Sequence, residues 1–186
     1  FSFPANKKIL LLQGNGINEN RGAEEFVLTA NLLNDAFILV IAGNGLIIER
    51  LKTMVAKNNL QQKVFFTGVL PFQQLQQLTR LAYCGFSLDK PLNINQQVSL
   101  PNKLFDYLAS DVPVIVSNIK EVAKIVELYQ TGIVIEKIYN PSVGTYDVVA
   151  TTGPGYMTKR QEAMDAMAQI LQGNPQLWSV AGDLFV

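Results

Sequence analysis

Apolar residues in this chain fall into short unbroken blocks, and between the blocks they recur every three or four positions. The blocks at 8–13 (KILLLQ), 37–42 (FILVIA), 64–67, 83–88, 112–117 and 132–136 have strand length. A strand with one wet face alternates apolar and polar residues. A nearly continuous apolar run instead expects cover on both faces, as in a parallel sheet. The intervening stretches 23–34, 46–58, 72–81, 101–110 and 119–129 have helical periodicity; Ile47, Leu51, Met54 and Val55 form one such stripe. Strand and helix in regular alternation predict an α/β fold: a doubly wound, Rossmann-like parallel sheet of about six strands over residues 1–137.

Beyond Glu136 the texture changes. The segments YNPSVGTY (139–146) and TTGPGY (151–156) are rich in turn formers. Residues 138–186 therefore read as a turn-rich tail carrying one helix, 159–172, with Thr158 and Gln161 at capping-box spacing. Met164, Met167, Ile170, Leu171 and Trp178 in that tail need cover.

Composition narrows the chemistry. Hydrophobic residues are 48% of the 186 and charged residues 16%, a globular balance. Fifteen basic and fifteen acidic residues leave no net charge, so neither a nucleic-acid surface nor a basic membrane patch is expected. Cys84 is the sole cysteine and histidine is absent, which excludes an intrachain disulfide, a Cys/His zinc site and a histidine base. No Asp-x-Asp pair exists to bridge a divalent ion to a diphosphate, and neither metal nor cofactor is expected. No apolar run is long enough to span a bilayer, no signal-peptide pattern opens the chain, and residues 1–6 read as linker. A reducing, cytoplasmic setting is the expectation.

In an open α/β sheet, ligands bind at the carboxyl ends of the strands, where helix N-termini face the crevice. The loop GNGINENRG (14–22) follows the first strand, and its small residues let a ligand approach backbone N–H groups while Arg21 neutralises a phosphate. It lacks GxGxxG spacing, so a solvated loop with turn-making glycines stands as an equal reading. The second segment is SLPNKLFDYLAS (99–110). Pro101 suits a first helical turn, Leu104, Phe105 and Leu108 share a core-facing side, and Asn102 and Asp106 share another. Lys103 in a first turn opposes the helix dipole unless an anion sits there. A lysine bending into water is the plainer reading. Gly43-Asn44-Gly45 reads first as a tight turn, and Asp89 as a solvated strand-end carboxylate.

The stretches LLLQGNGINENRG, FILVIAGNG, KVFFTGVLP and SLPNKLFDYLASDVPVIVSNIKEV together resemble the C-terminal domain of GT-B glycosyltransferases, in particular the retaining family-4 group. The resemblance implies a domain that binds a nucleoside-diphosphate sugar, with the acceptor on a separate N-terminal domain and turnover absent without it. The full-length enzyme would transfer sugar to a glycan or lipid-linked acceptor, and peripheral membrane association is compatible with it. By resemblance Gly14 and Arg21 lie at the diphosphate and backbone near Gly68 and Val69 borders the base. Ser99, Asn102 and Lys103 cluster at diphosphate and sugar, and Asp106 accepts the ribose hydroxyls. Three positions depart from the family pattern: Asp106 stands for its glutamate, Val98 for a second glutamate eight residues earlier, and Asp111 for its glycine. A dinucleotide-binding enzyme fits less well, because the first loop lacks the glycine spacing and the acidic ribose partner. Residues 144–178 resemble part of the portal protein of P22-like tailed phages, which implies a fusion near 137–139. The alternative function is accordingly a non-catalytic, chimeric or phage-related structural fragment.

Overall fold

The computed structural model describes residues 3–92, 94–140 and 145–152, from 136 onward as backbone only. The elements in chain order are β1 (Lys8–Gly14), α1 (Ala23–Thr29), β2 (Phe37–Gly43), α2 (Ile48–Lys57), β3 (Val64–Gly68), α3 (Phe72–Leu81) and β4 (Ala82–Ser87). They continue with α4 (Ile94–Gln97), α5 (Asn102–Ala109), β5 (Val114–Ser117), α6 (Lys120–Tyr129), β6 (Gly132–Asn140) and β7 (Thr145–Thr152). The strands form one sheet in the order β3-β2-β1-β4-β5-β6-β7. All neighbours from β3 to β6 are parallel, and β7 runs antiparallel to β6. The predicted doubly wound α/β fold is present.

The unbroken apolar runs divide by alternation. Leu10, Leu12, Leu39 and Ile41 point to one face and pack with Phe26 and Val27 of α1 and Leu51 of α2. Ile9, Leu11, Ile38 and Val40 point to the other, against Leu78 of α3, Leu104 and Tyr107 of α5 and Val122 of α6. Both faces are dry, and the buried polar residues of the central strands, Gln13 of β1 and Ser87 of β4, fall toward their carboxyl ends.

The strand order reverses direction between β1 and β4, and this is where a doubly wound sheet opens. Pairing between these strands is described for Ile9, Leu10 and Leu11, with a register shift after Ile9. Beyond it the strands part, and backbone groups of β1 must find other partners. The Tyr107 hydroxyl supplies them: it donates to the Leu11 carbonyl at 3.0 Å and accepts the Gln13 N–H at 3.2 Å. Tyr107 is fully buried, and burial, the largest cause, pushes its phenol well above the ordinary range. Gly85 of β4 makes room for the ring, since a Cβ there would stand 2.5 Å from it. Tyr107 thus ties α5 to the point where the sheet opens.

Several expectations are corrected. Phe105 is 45% exposed, and Tyr107 takes the core position beside Leu104. The first helix stops at Thr29 rather than Asn34, because successive i→i+3 bonds from Ala30, Asn31 and Leu32 tighten the chain. The fifth strand begins at Val114, not Val112: Asp111 is left-handed at φ 54°, and Pro113 offers no N–H. The short α4 went unpredicted, being a single polar turn. The stretch expected to be turn-rich contains β7, whose ladder on β6 runs from Ile133↔Thr152 to Asn140↔Thr145 and carries β6 past Glu136. Its β-branched and aromatic residues, TYDVVATT, favour a strand. The turn at 141–144 and the helix at 159–172 lie outside the described residues.

Two predictions follow from the ladder and the phenol. Tyr107→Phe keeps the ring but strands a buried carbonyl and a buried N–H, so urea unfolding is expected to show a loss of about 1–3 kcal/mol with unchanged slope. An unmoved midpoint would show that other groups satisfy that backbone. A chain ended after Thr152 is expected to melt roughly 4 °C or more above one ended after Glu136, which leaves β6 as a bare edge. Equal melting temperatures would mean that β7 adds nothing to the sheet.

Candidate functional site

Two loops meet where β1 and β4 part. The β1–α1 loop is anchored on both sides. Toward β2, Ile17 donates to the Asn44 carbonyl, Asn44 to the Gly14 carbonyl, and Leu46 to the Asn18 side chain. Gly43-Asn44-Gly45 is therefore the buttress of this loop. Toward β4, Lys90 donates its backbone N–H to the Asn20 carbonyl, and its ammonium lies 2.6 Å from Glu25 in a nearly dry pair. The second carboxylate oxygen of Glu25 is buried without a hydrogen-bond partner. Gly22, left-handed at φ 72°, presses so closely on Leu88 that an added Cβ would lie 2.2 Å from its side chain. That contact aims Arg21 at the end of β4.

Asp89 waits there, 1% exposed. One carboxylate oxygen lies 3.0 Å from the Arg21 guanidinium and the other 3.1 Å from the Lys103 ammonium. The Ser87 hydroxyl stands 3.4 Å from the second oxygen, and the Ser117 hydroxyl donates to the Asp89 backbone carbonyl. Asp89 is thus no solvated strand-end group, and Lys103, with its side chain 13% exposed, does not bend into water. The two expectations fail for one reason: each charge is buried because the other neutralises it.

Arg21, Asp89 and Lys103 line a cavity of about 220 Å³ together with Gly14, Asn15, Gly16, Pro101 and Asn102. One wall is a glycine-rich loop and another the first turn of α5, whose N-cap Pro101 makes no side-chain cap bond. Uncapped N–H groups and the dipole make such a turn receptive to anions. Two cations against one carboxylate leave the cluster one positive charge in excess. The arrangement can accept a compact anion bearing more than one negative charge.

Of the sequence-predicted residues, Gly14, Arg21, Asn102 and Lys103 come together in this cavity. Asp106, one turn along α5, does not. Its carboxylate accepts the Gln13 side-chain amide at 3.1 Å, and it lines a neighbouring space of about 90 Å³ with Phe72, Thr79 and Arg80. Gln13 is the wall between the two spaces, its amide oxygen taking the Thr79 hydroxyl at 2.8 Å. Ser99 turns back to donate to the Gln96 carbonyl and is not among the cavity's lining residues. Gly68 ends β3, two places from β1 in the sheet, Val69 follows it, and neither residue lines either space. Asp89, Gln13 and the Glu25–Lys90 pair were missed as site residues. Asp89-Lys90, two opposite charges directly after a buried strand, was the available signal. Glu25 gave none. Among the described residues no group of acidic, cysteine or histidine side chains could hold a metal, and no helix is long and apolar enough to cross a membrane.

Comparison with known proteins gives two family matches: "Glycosyl transferases group 1" over residues 2–143, and "Phage P22-like portal protein" over residues 114–186. No curated protein matches the chain in sequence. Among solved structures, WaaG, a glycosyltransferase involved in lipopolysaccharide biosynthesis, matches with a TM-score of 0.59 at 12% identity, over 94% of this chain and 41% of its own. Anabaena Alr3699/HepE in complex with UDP matches at 0.60 and 10% identity, over 96% of this chain and 45% of its own. The C-terminal domain of LpcC, a glycosyl transferase group 1 protein of Francisella tularensis, matches at 0.57 and 13% identity, over 96% and 87%. The chain therefore spans less than half the length of WaaG and HepE, and at these identities the likeness is one of fold. The family match covers well over half the residues, and the chain belongs to the glycosyl transferases group 1 family.

Proposed function

We propose that this chain is the donor-binding half of a retaining glycosyltransferase and that the cavity between β1 and β4 takes the diphosphate of a nucleoside-diphosphate sugar. One observation carries the reading: Arg21 of the β1–α1 loop and Lys103 of α5 converge on one cavity with an uncapped helix turn and a glycine-rich loop. HepE, which shares the fold, has been solved with UDP. Gly14, Asn102 and the first turn of α5 would receive the phosphate oxygens, with Arg21 and Lys103 neutralising them. As the bond to the sugar breaks, charge grows on the departing diphosphate, and these fixed cations and dipoles stabilise it more than the intact donor. Ser99, Gly68, Val69 and Asp106 are assigned to the sugar, base and ribose ends. Asp106 gives one carboxylate oxygen to the Gln13 amide, which leaves the other to accept a ribose hydroxyl.

The acceptor, a glycan or lipid-linked sugar, would sit on a separate N-terminal domain, so this chain binds donor without turning it over. The extent of the matches supports that division: 87% of the LpcC C-terminal domain against 41% of WaaG. A second reading, favoured by the portal match over 114–186, is a chimeric structural fragment with 138–186 of phage origin and no nucleotide site.

Calorimetry with UDP, GDP and ADP separates the two. Millimolar or tighter binding of one of them is expected, weakened about tenfold or more by Arg21→Ala and by Lys103→Ala, each of which deletes a charge-assisted contact. The same chain should release no diphosphate from the matching nucleotide sugar. Absence of binding by all three would favour the structural fragment.

A further inference from the structure

Among the described residues Asp89 is the one carboxylate lining the cavity, an unexpected group in a place proposed for an anion. A buried ion pair is a poor device for stability, since desolvating its charges offsets most of their attraction. Its geometry suggests a different use. The carboxylate spends one oxygen on each cation, and these cations come from separate segments: Arg21 before α1, Lys103 in the first turn of α5. The carboxylate itself is fixed. Its backbone carbonyl is held by Ser117 from β5, and the Ser87 hydroxyl stands beside its second oxygen.

We propose that Asp89 is a positioning residue for diphosphate: it holds Arg21 and Lys103 at a set separation, so that two adjacent phosphates are gripped and one alone is not. This rests on the donor-site reading above. A guanidinium has five N–H donors and an ammonium three, so one bond from each to Asp89 leaves both able to grip phosphate oxygens. Held apart by the carboxylate, the two cations need no ordering when the ligand arrives. Long side chains freed to swing would lose that rotamer freedom on binding. Without the carboxylate the like charges repel and seek water, although the site gains positive charge overall. Simple electrostatics and positioning therefore predict opposite outcomes. Charge alone makes Asp89→Asn bind every phosphate more tightly. Positioning makes it lose the preference for two phosphates over one.

The test uses the full chain and whichever of UDP, GDP and ADP binds tightest, measured against its own monophosphate by calorimetry. The wild type is expected to prefer the diphosphate at least tenfold. Asp89→Asn is expected to bring that ratio below about threefold with monophosphate affinity nearly unchanged. Asp89→Asn combined with Lys103→Ala should lose less diphosphate affinity than the product of the two single losses, because the residues act as one unit. A role in folding alone would lower the melting temperature and leave the ratio intact. If Asp89→Asn does not fold, Ser117→Ala, which frees only the backbone of Asp89, should lower the ratio by a smaller factor. An unchanged or increased ratio in a folded variant overturns the proposal while the donor reading stands. A wild type that binds none of the three diphosphates removes the donor reading, and this inference with it.

Discussion

A parallel sheet that reverses its strand order must leave two central strands diverging, and the divergence exposes backbone that the sheet can no longer pair. In this chain the Tyr107 hydroxyl answers for that backbone, and the placement of α5 follows from it. Tyr107 sits one turn after Lys103 and beside Asp106, so the bond that closes the sheet also sets the helix that faces the crevice. Gly85 permits the ring, and the ring permits the opening. Structure and site share one constraint here: the gap between β1 and β4 is also where Arg21 of the β1–α1 loop and Lys103 of α5 approach each other.

The charges in the crevice obey the same economy of burial. Asp89, Lys103, Glu25 and Lys90 are nearly all withdrawn from water, each tolerated because an opposite charge lies within about 3 Å. The Glu25–Lys90 pair ties the β1–α1 loop to the end of β4, and the Arg21–Asp89–Lys103 cluster ties that loop to α5. Apolar contacts of Ile17 and Leu88 anchor these segments in the core, and polar contacts join their charged ends to one another. A polar ligand can then exchange its bonds for theirs at little cost in buried apolar surface.

The fold was legible because its signals are local. A run such as KILLLQ or FILVIA has no plausible place except between two helical layers, and the period of 3.6 in residues 119–129 needs no knowledge of a partner. The strand β7 was hidden because Asn, Pro and Gly bracket it and its pairing lies in the third dimension. Part of the site was legible too. Glycines and Arg21 after a first strand, and Lys103 after Pro101, point to a crevice by position alone. Asp89 could not be placed the same way. Read singly, a carboxylate after a strand belongs in water; only the meeting of three elements buries it. Phe105 and Tyr107 show the same limit, since their two positions differ by half a helical turn and only the gap in the sheet decides which is inside. Asp106 was read toward a ligand, and its carboxylate accepts the Gln13 amide.

On the proposed reading, the crevice between β1 and β4 receives a diphosphate between Arg21 and Lys103. Crystals of the chain grown with UDP, GDP or ADP test it most directly. Both phosphorus atoms are expected in that cavity, with phosphate oxygens within about 3 Å of the Arg21 guanidinium, the Lys103 ammonium and a backbone N–H of the first turn of α5. Diphosphate bound elsewhere, with Arg21, Asp89 and Lys103 untouched by it, would overturn that reading of the crevice.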